Sequence, residues 1–323
     1  MSSPQASPTV STLELVTQAQ LQAAEAGAVV AQLPATVVEA TGSDAASFLH
    51  GQLANDVSGL QVGGVNRSLA LNHRGHAEAE ASVLRRGAQA FSLAVDGGGA
   101  QWLVPSLEGH IIFDDVKLRT VPDMALLSLQ GAGARGCLPE APVAGTFAEV
   151  QLGGASVVVV PRDRSAMGGF DLLVDANDVD TVLAALASAG ATRVSAAVIT
   201  ALRIRGVVPA VDGEGGDGVL PQEAALEHAL SYRKGCYLGQ EIMARIEARG
   251  NLRRGLARLT LSAAPSGERQ IKLDGRTVGV LGSVALVERP EGAAPVVEAL
   301  AVLRADLPAD AQLEVGGVVA VRA

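Results

Sequence analysis

Residues 234–241 read Lys-Gly-Cys-Tyr-Leu-Gly-Gln-Glu, and they stand where a helix over residues 238–248 is predicted to begin. Cys236 would then face the positive end of that helix, with Lys234 beside it. A helix N-terminus and a neighbouring ammonium both favour the thiolate form of cysteine over the thiol. The run therefore predicts a reactive cysteine at position 236.

The residues around this cysteine support the same interpretation, although a plainer one stays open. Gly235 allows a sharp turn, and Gly239 allows a close approach of the backbone where the helix begins. Glu241 suits the first turn and can pair with Arg245 four residues later. Against this, a lone cysteine is most often a small buried apolar residue, and a Glu–Arg pair at this spacing is most often a solvated face.

Composition excludes several classes of function. The chain has 323 residues, of which 48% are hydrophobic, and no apolar run approaches the roughly 20 residues that a membrane helix needs. The first basic residue is Arg67, so the N-terminus lacks the pattern of a secretory or organellar signal, and we expect a cytoplasmic protein. Cys137 and Cys236 are too few for a disulfide framework, or for an iron–sulfur cluster that takes about four thiolates from one chain.

The charge distribution argues against direct nucleic-acid binding. The net charge is −9 and aromatic residues make up 2% of the chain, whereas single-stranded RNA recognition uses stacked aromatic side chains. Residues 233–258 are a local exception, because they contain seven basic residues. An RNA-binding module built on this segment is therefore the third of our functional hypotheses.

The pattern of elements predicts an α+β fold in three parts. Residues 1–30 are rich in Ser, Pro, Gln and Ala and are predicted to form a flexible N-terminal tail. Residues 31–252 mix strands and helices without regular alternation, which favours an α+β body of two intertwined subdomains, split near residues 122 and 195. Residues 253–323 show strands alone, separated by Ser-Gly, Asp-Gly and Gly-Gly turns, and predict a small antiparallel β-barrel.

Three shorter motifs are rejected by their context. Residues 131–136 match GxGxxG, but Pro139 would end any following helix too early for a dinucleotide site. Residues 212–218 lack the glycine and the glutamate that a calcium loop requires. His73 and His76 would point to opposite sides of a strand, so we assign no metal site.

A longer set of motifs gives the sequence its family resemblance. The stretches are Leu220-Pro-Gln-Glu-Ala224, Ser231-Tyr-Arg-Lys-Gly-Cys-Tyr-Leu-Gly-Gln-Glu241, Ala244-Arg245, Arg249-Gly250 and Arg253-Arg254. In order and spacing they resemble the signature of the YgfZ family of folate-binding proteins, which are relatives of the aminomethyltransferase T-protein of the glycine cleavage system. Weaker similarity continues through residues 48–57 and 74–75, so the resemblance spans about residues 33–323.

The resemblance implies a fold and a function. The fold would consist of ferredoxin-like units closing around a central cavity, followed by a C-terminal barrel. The cavity would bind tetrahydrofolate, and the protein would help to assemble or maintain iron–sulfur proteins, including those that modify tRNA. On this basis Cys236 and Lys234 are the catalytic candidates, and the binding or structural candidates are Gly235, Tyr237, Gly239, Gln240, Glu241 and Arg245.

The sequence departs from the transferase pattern at two places. Where those enzymes carry a catalytic Asp this chain has Ala79, flanked by Glu78 and Glu80. Where they carry a Glu that helps to hold the pterin this chain has Arg205, whose opposite charge argues against standard folate recognition there. The candidate residues of the folate cavity are Asn55, Asp56, Glu78, Glu80 and Arg205.

Two functional hypotheses follow from the family resemblance. The leading one is a tetrahydrofolate-binding accessory protein that acts through the Cys236 thiol and has folate and iron–sulfur client proteins as partners. The alternative is a tetrahydrofolate-dependent aminomethyltransferase or demethylase. That alternative needs a carboxylate general base, for which Glu78 and Glu80 are the candidates.

Overall fold

The structure is a computed structural model that describes residues 13–216, 218–250, 252–289 and 293–323. It contains three β-sheets, two of them covered by helices and the third closed into a barrel. The predicted α+β class, with ferredoxin-like units around a central cavity and a C-terminal antiparallel barrel, is confirmed. In the described part of the chain, no helix has the length and apolar character needed to cross a membrane.

The six-stranded sheet combines the start of the chain with its middle. Its strand order is β12-β2-β8-β11-β10-β9. The strands are β2 (Ala28–Leu33), β8 (Met124–Gln130), β9 (Ala148–Leu152), β10 (Ala155–Pro161), β11 (Gly169–Asp175) and β12 (Ala191–Arg193). Helix α4 (Val179–Ser188) packs Val182 and Leu186 against one face, while α1 (Gln18–Ala26) and α5 (Ala196–Gly206) pack against alternate residues of β2.

The five-stranded sheet is built from one continuous segment and is antiparallel throughout. Its order is β4-β5-β6-β3-β7. The strands are β3 (Ala35–Thr41), β4 (Val65–Leu71), β5 (Ala77–Gly87), β6 (Ala90–Asp96) and β7 (Lys117–Val121). Helices α2 (Ala45–Gln52) and α3 (Ala100–His110) cover one face, and the other face meets the six-stranded sheet where Val37 and Ala94 pack against Leu126 and Leu173.

The C-terminal sheet closes on itself. The ring runs β15-β14-β17-β18-β13-β16 and returns to β15, with every pair in the ring antiparallel. The strands are β13 (Arg254–Leu261), β14 (Gln270–Leu273), β15 (Arg276–Val287), β16 (Val296–Arg304), β17 (Leu313–Val315) and β18 (Val318–Arg322). Val297, Ala299, Ala301 and Leu303 alternate along β16 and fill the interior, as the period of a strand requires.

The prediction of a flexible N-terminal tail is wrong for residues 15–30, which form a strand, a helix and the start of a second strand. Residues 1–12 lie outside the described residues. From Leu15 the chain forms β1 (Leu15–Val16), which pairs in parallel with β15, then α1 and the interior strand β2. Leu21 and Ala24 are buried against α5 and the barrel. The Ala-rich composition that predicted a flexible tail therefore supplies small side chains that allow α1 to pack closely.

The segment between α5 and the barrel packs on the five-stranded sheet and on the barrel. It contains the short helix α6 (Val211–Glu214) and α7 (Gln240–Arg249). Its apolar side chains, including Leu226, Tyr237 and Met243, pack with Leu69 and Leu71 of β4. This packing brings the cysteine motif onto the end of the five-stranded sheet.

Candidate functional site

A cavity of about 400 Å³ lies where the three sheets meet. The five-stranded sheet contributes Glu80 and Asp96, and the six-stranded sheet with α5 contributes Arg164 and Arg203. Further wall comes from Leu33 and Pro34, from α6, and from residues 265, 267–269 and 281–284. Because residues from three separate units line one space, the cavity can hold a ligand that contacts all of them.

Glu80 is the most buried charged group of this cavity. Its side chain is 2% exposed and accepts hydrogen bonds from Arg162 Nη1 at 2.9 Å and Nη2 at 3.1 Å, and also from Arg67 Nε. His228 Nε2 lies 3.3 Å from the same carboxylate. Burial alone would raise the pKa of Glu80, but Arg67 and His228 outweigh it and leave this pKa lowered. Glu80 is therefore held ionised and is a weak proton acceptor.

Arginines extend this ion network across the interface between the two sheets. Arg162 also donates to Asp96 Oδ2 at 2.6 Å, and Arg164 donates to Asp96 Oδ1 at 2.9 Å and to Asp171 Oδ2 at 2.6 Å. Burial alone would lower the pKa of Arg164, but the two carboxylates outweigh it and raise this pKa further above its usual value. The network fixes the relative position of β6 and β11 beside the cavity.

Strand alternation decides which residue of β5 reaches the cavity. Ala79 belongs to the core under α3, where a Cβ on Gly99 would lie 2.8 Å from the Cβ of Ala79. Glu80 faces the opposite way, into the cavity. Glu78 shares the face of β5 that is opposite to Ala79 but accepts a hydrogen bond from Asn72 at the turn between β4 and β5, outside the cavity lining. The structure therefore brings one of the two predicted glutamates to the cavity.

Arg205 does not line the cavity. Its Nε and Nη2 donate to both oxygens of Glu298 on β16, at 2.9 to 3.3 Å. Its neighbour by two positions, Arg203, lines the cavity instead and donates to Ser283 Oγ at 2.6 Å and to Val208 O at 2.6 Å. The positive charge predicted to alter folate recognition is thus used to attach α5 to the barrel.

Asn55 and Asp56 form hydrogen bonds within a loop and do not contribute to the cavity wall. Asn55 Nδ2 donates to Arg67 O at 2.7 Å, and Asp56 Oδ1 accepts from the Gly59 N–H at 2.9 Å. Neither residue is part of the cavity lining. Their hydrogen bonds order the chain between α2 and β4.

The cysteine motif forms an exposed loop ahead of α7. Cys236 is an exposed free thiol, four residues before the helix begins at Gln240, whose N–H donates to Tyr237 O at 3.2 Å. Gly239 has a φ of +85°, and a Cβ there would lie 3.2 Å from Asn72 O, so the predicted close approach is present. Gly235 has no positive φ, and a Cβ built there would have no neighbour within 4 Å. Cys236 does not line the cavity.

Lys234 anchors this loop to α2. Its Nζ donates to the carbonyl oxygens of His50, Leu53 and Asn55, which lie in and just after the last turn of that helix. Burial lowers the pKa of Lys234 to about 8, and its ammonium lies 4.9 Å from the centre of the Tyr237 ring. The Lys234 ammonium therefore donates to carbonyl groups in and just after α2, whereas the sequence predicted that it would lie beside the Cys236 thiol.

The remaining motif residues divide between the core and the solvent. Tyr237 is buried, and burial raises the pKa of its hydroxyl to about 12. Glu241 and Arg245 form an ion pair at 2.5 Å, but their side chains are 80% and 65% exposed. A pair this exposed adds little stability, so the solvated-face interpretation applies to it.

Comparisons with known proteins give the chain its family. A family model described as the GCVT N-terminal domain matches residues 12–234. The protein named tRNA-modifying protein YgfZ from Vibrio vulnificus strain CMCP6 is 30% identical over 251 residues, which cover 75% of this chain and 73% of that relative. This chain belongs to the YgfZ family.

Two further comparisons support this YgfZ assignment. The protein with the same name from Edwardsiella ictaluri strain 93-146 is 29% identical over 294 residues, covering 86% of this chain and 85% of the relative. The crystal structure of the glycine cleavage system aminomethyltransferase T from Bartonella henselae aligns with a TM-score of 0.74 at 19% identity, over 94% of this chain and 87% of that one. That likeness shows that the two proteins share a fold.

Sequence reasoning missed several residues of the cavity in this YgfZ-family protein. The lining residues Asp96 and Arg164 were not identified, nor was Arg162, which donates to Asp96 from outside the lining, although a signal was present. Arg162-Asp-Arg164 directly follows the apolar strand β10, and charged residues at the end of a buried strand favour a polar site. Asp212 was considered only as part of a rejected calcium loop, yet it lines the cavity.

Proposed function

We propose that this YgfZ-family protein binds tetrahydrofolate in the central cavity and supports the assembly or maintenance of iron–sulfur proteins, including those that modify tRNA. The exposed thiol of Cys236 is the group that meets the client protein. The observation that carries the proposal is the cavity at the junction of the three sheets. The relatives named tRNA-modifying protein YgfZ support the link to tRNA modification.

The cavity suits a flat heterocycle with a polar edge. Its volume falls within the roughly 300 to 1,000 Å³ of small-molecule sites. Leu33, Pro34, Leu281 and Val284 provide apolar wall, and Asp212 provides a carboxylate at the same wall. Bound there, tetrahydrofolate would supply its chemistry as a carrier of one-carbon units.

Cys236 is suited to contact another protein rather than the cavity ligand. Its exposure allows a client to reach it, and a thiolate is the form of cysteine that ligates metals. Cys137, in contrast, is buried, and burial raises the pKa of its thiol. A single exposed thiol can exchange a ligand with a client's cluster, while the cluster keeps its other ligands from the client.

The geometry does not favour the transferase alternative. Position 79 carries no carboxylate and lies in the core, and Glu80 is bound by two arginines and keeps a lowered pKa. A general base works best with a pKa near the working pH, which Glu80 lacks. We therefore propose the accessory role alone.

The thiol can be tested in cells that lack the native gene. Complementation with Cys236→Ala should leave iron–sulfur enzyme activity, including that of tRNA-modifying enzymes, close to the level of the deletion strain. The matched control is Cys137→Ala, which removes the other free cysteine and should restore activity if the variant folds. Normal cluster-enzyme activity with Cys236→Ala would refute the role proposed for this thiol.

A further inference from the structure

The carboxylates of the cavity differ in how much hydrogen-bonding capacity they have left. Glu80 and Asp96 each accept from two arginines. Glu268 accepts from Lys272 Nζ at 2.8 Å. Asp212 receives a single hydrogen bond among the described residues, from the Gly98 N–H to Oδ2 at 3.3 Å. An ionised carboxylate has about four acceptor positions, so Asp212 retains most of its capacity.

Asp212 is held at the cavity wall by local structure. It is the second residue of α6, and its carboxylate sits against the glycine loop that joins β6 to α3. A Cβ on Gly97 would lie 1.6 Å from Asp212 Oδ2, so the loop can carry only glycine there while Asp212 keeps this position. Ala210 and Val211, which precede Asp212 in the chain, add apolar surface to the same wall.

The cations of the cavity are already directed elsewhere. Arg164 is paired with Asp96 and Asp171, and Arg203 donates to Val208 O, Ser283 Oγ and Glu214. Arg269 donates to Leu281 O and Gly213 O. The least satisfied charged group in the described part of the wall is therefore an acceptor, which favours a ligand that presents hydrogen-bond donors.

We infer that Asp212 is the specificity-determining residue for the cavity ligand, accepting hydrogen bonds from the 2-amino group and the N3–H of the pterin ring. The inference rests on the proposed function, which places a folate in the cavity. It assigns to Asp212 the acceptor role that a Glu at position 205 would have in the transferases, since Arg205 is bound to Glu298 away from the cavity.

Chemistry supports this pairing. The two donors lie on one edge of the pterin and match the two oxygens of a carboxylate, as in other bidentate pairs. Asp212 is exposed to solvent, but desolvation of its carboxylate at the cavity wall raises its pKa, against the lowering effects of the Gly98 N–H and Arg203. A ligand that adds two donors would favour the ionised form and offset that effect.

The test compares the affinities of two proteins, native and Asp212→Asn, for two ligands, tetrahydrofolate and its analogue without the 2-amino group. The affinities are measured by calorimetry on the full-length protein. Asp212→Asn replaces an acceptor oxygen with a donor and should weaken tetrahydrofolate binding about 10- to 100-fold. The matched control, Glu268→Gln, changes a lining carboxylate that already has a lysine partner and should change affinity less than about 3-fold. The tetrahydrofolate analogue without the 2-amino group should bind the native protein about 10-fold or more weakly, and Asp212→Asn should discriminate little between the two ligands.

The outcomes separate this inference from the proposed function. Native affinity in Asp212→Asn, or equal losses for the analogue in both proteins, would overturn the role of Asp212 and leave folate binding intact. No binding of tetrahydrofolate to the native protein would overturn the proposed function and this inference together. If Asp212→Asn fails to fold, the analogue on the native protein still decides the matter, because equal affinity for the two ligands would overturn the inference.

Discussion

Replacing Glu80 with Gln tests whether the buried ion network holds the cavity together. The substitution keeps size and removes the charge that faces Arg162, whose side chain is 3% exposed, and Arg67. Removing one partner of a buried ion pair costs about 3 to 5 kcal/mol, and the lower figure fits because Arg162 keeps Asp96. For a chain of 323 residues the unfolding entropy is about 0.7 kcal/mol/K, so the melting temperature should fall by about 4 °C.

A matched control and a second variant sharpen the measurement. Glu78→Gln changes a half-buried glutamate on the same strand that is bonded to Asn72, and its melting temperature should change by less than about 1 °C. Combining Glu80→Gln with Arg162→Met should cost less than the sum of the single variants, because each single variant leaves a buried charge behind. A shift below about 1 °C for Glu80→Gln, or strictly additive effects, would refute the network's role.

The pH dependence of the same variant has a defined sign. The folded-state pKa of Glu80 lies below its usual value of 4.5, so the carboxylate stabilises the fold fully above that value. As pH falls through the folded-state pKa, Glu80 becomes protonated in both states and its contribution is lost. The stability difference between the native protein and Glu80→Gln, measured by urea unfolding, should therefore shrink below pH 4.5. A difference that grows on acidification would contradict this assignment.

Three other predictions follow from single contacts. Arg205→Glu should lower the melting temperature without improving tetrahydrofolate affinity, because it sets two carboxylates together at Glu298; a gain in affinity by calorimetry would contradict this. Gly239→Ala should destabilise the protein by about 1 to 2 kcal/mol in urea unfolding, because the backbone φ at position 239 is +85°. Gly235→Ala should be nearly neutral, and equal effects of the two substitutions would be inconsistent with the geometry. Tetrahydrofolate affinity should fall on acidification through the raised pKa of Asp212, and a calorimetric titration showing no such fall would argue against an ionised acceptor.

Local patterns in the sequence predicted the elements well. The strand-only pattern of residues 253–323 predicted the barrel, and the mixed pattern before it predicted the α+β body. Both patterns depend on neighbours within a few positions along the chain. The requirement for glycine at position 239 was visible for the same reason, since it stands at the start of α7.

Contacts between distant residues could not be predicted in this way. Lys234 was expected beside Cys236, but its carbonyl partners lie about 180 positions earlier in the chain. Arg162 reaches Glu80 across 82 positions, and no local pattern indicates which charges will meet. The N-terminal segment was predicted to be a flexible tail, because the burial of its helix depends on a barrel formed by the end of the chain.

Equilibrium binding of tetrahydrofolate tests the central claim most directly. We expect saturable binding at one site on the native protein, measured by isothermal titration calorimetry, and unchanged affinity in Cys236→Ala because that residue lies outside the cavity lining. Thr200→Trp, which places a large ring in the cavity wall, should abolish binding while the protein stays folded. Failure of the native protein to bind, or full affinity in Thr200→Trp, would contradict a folate site in this cavity.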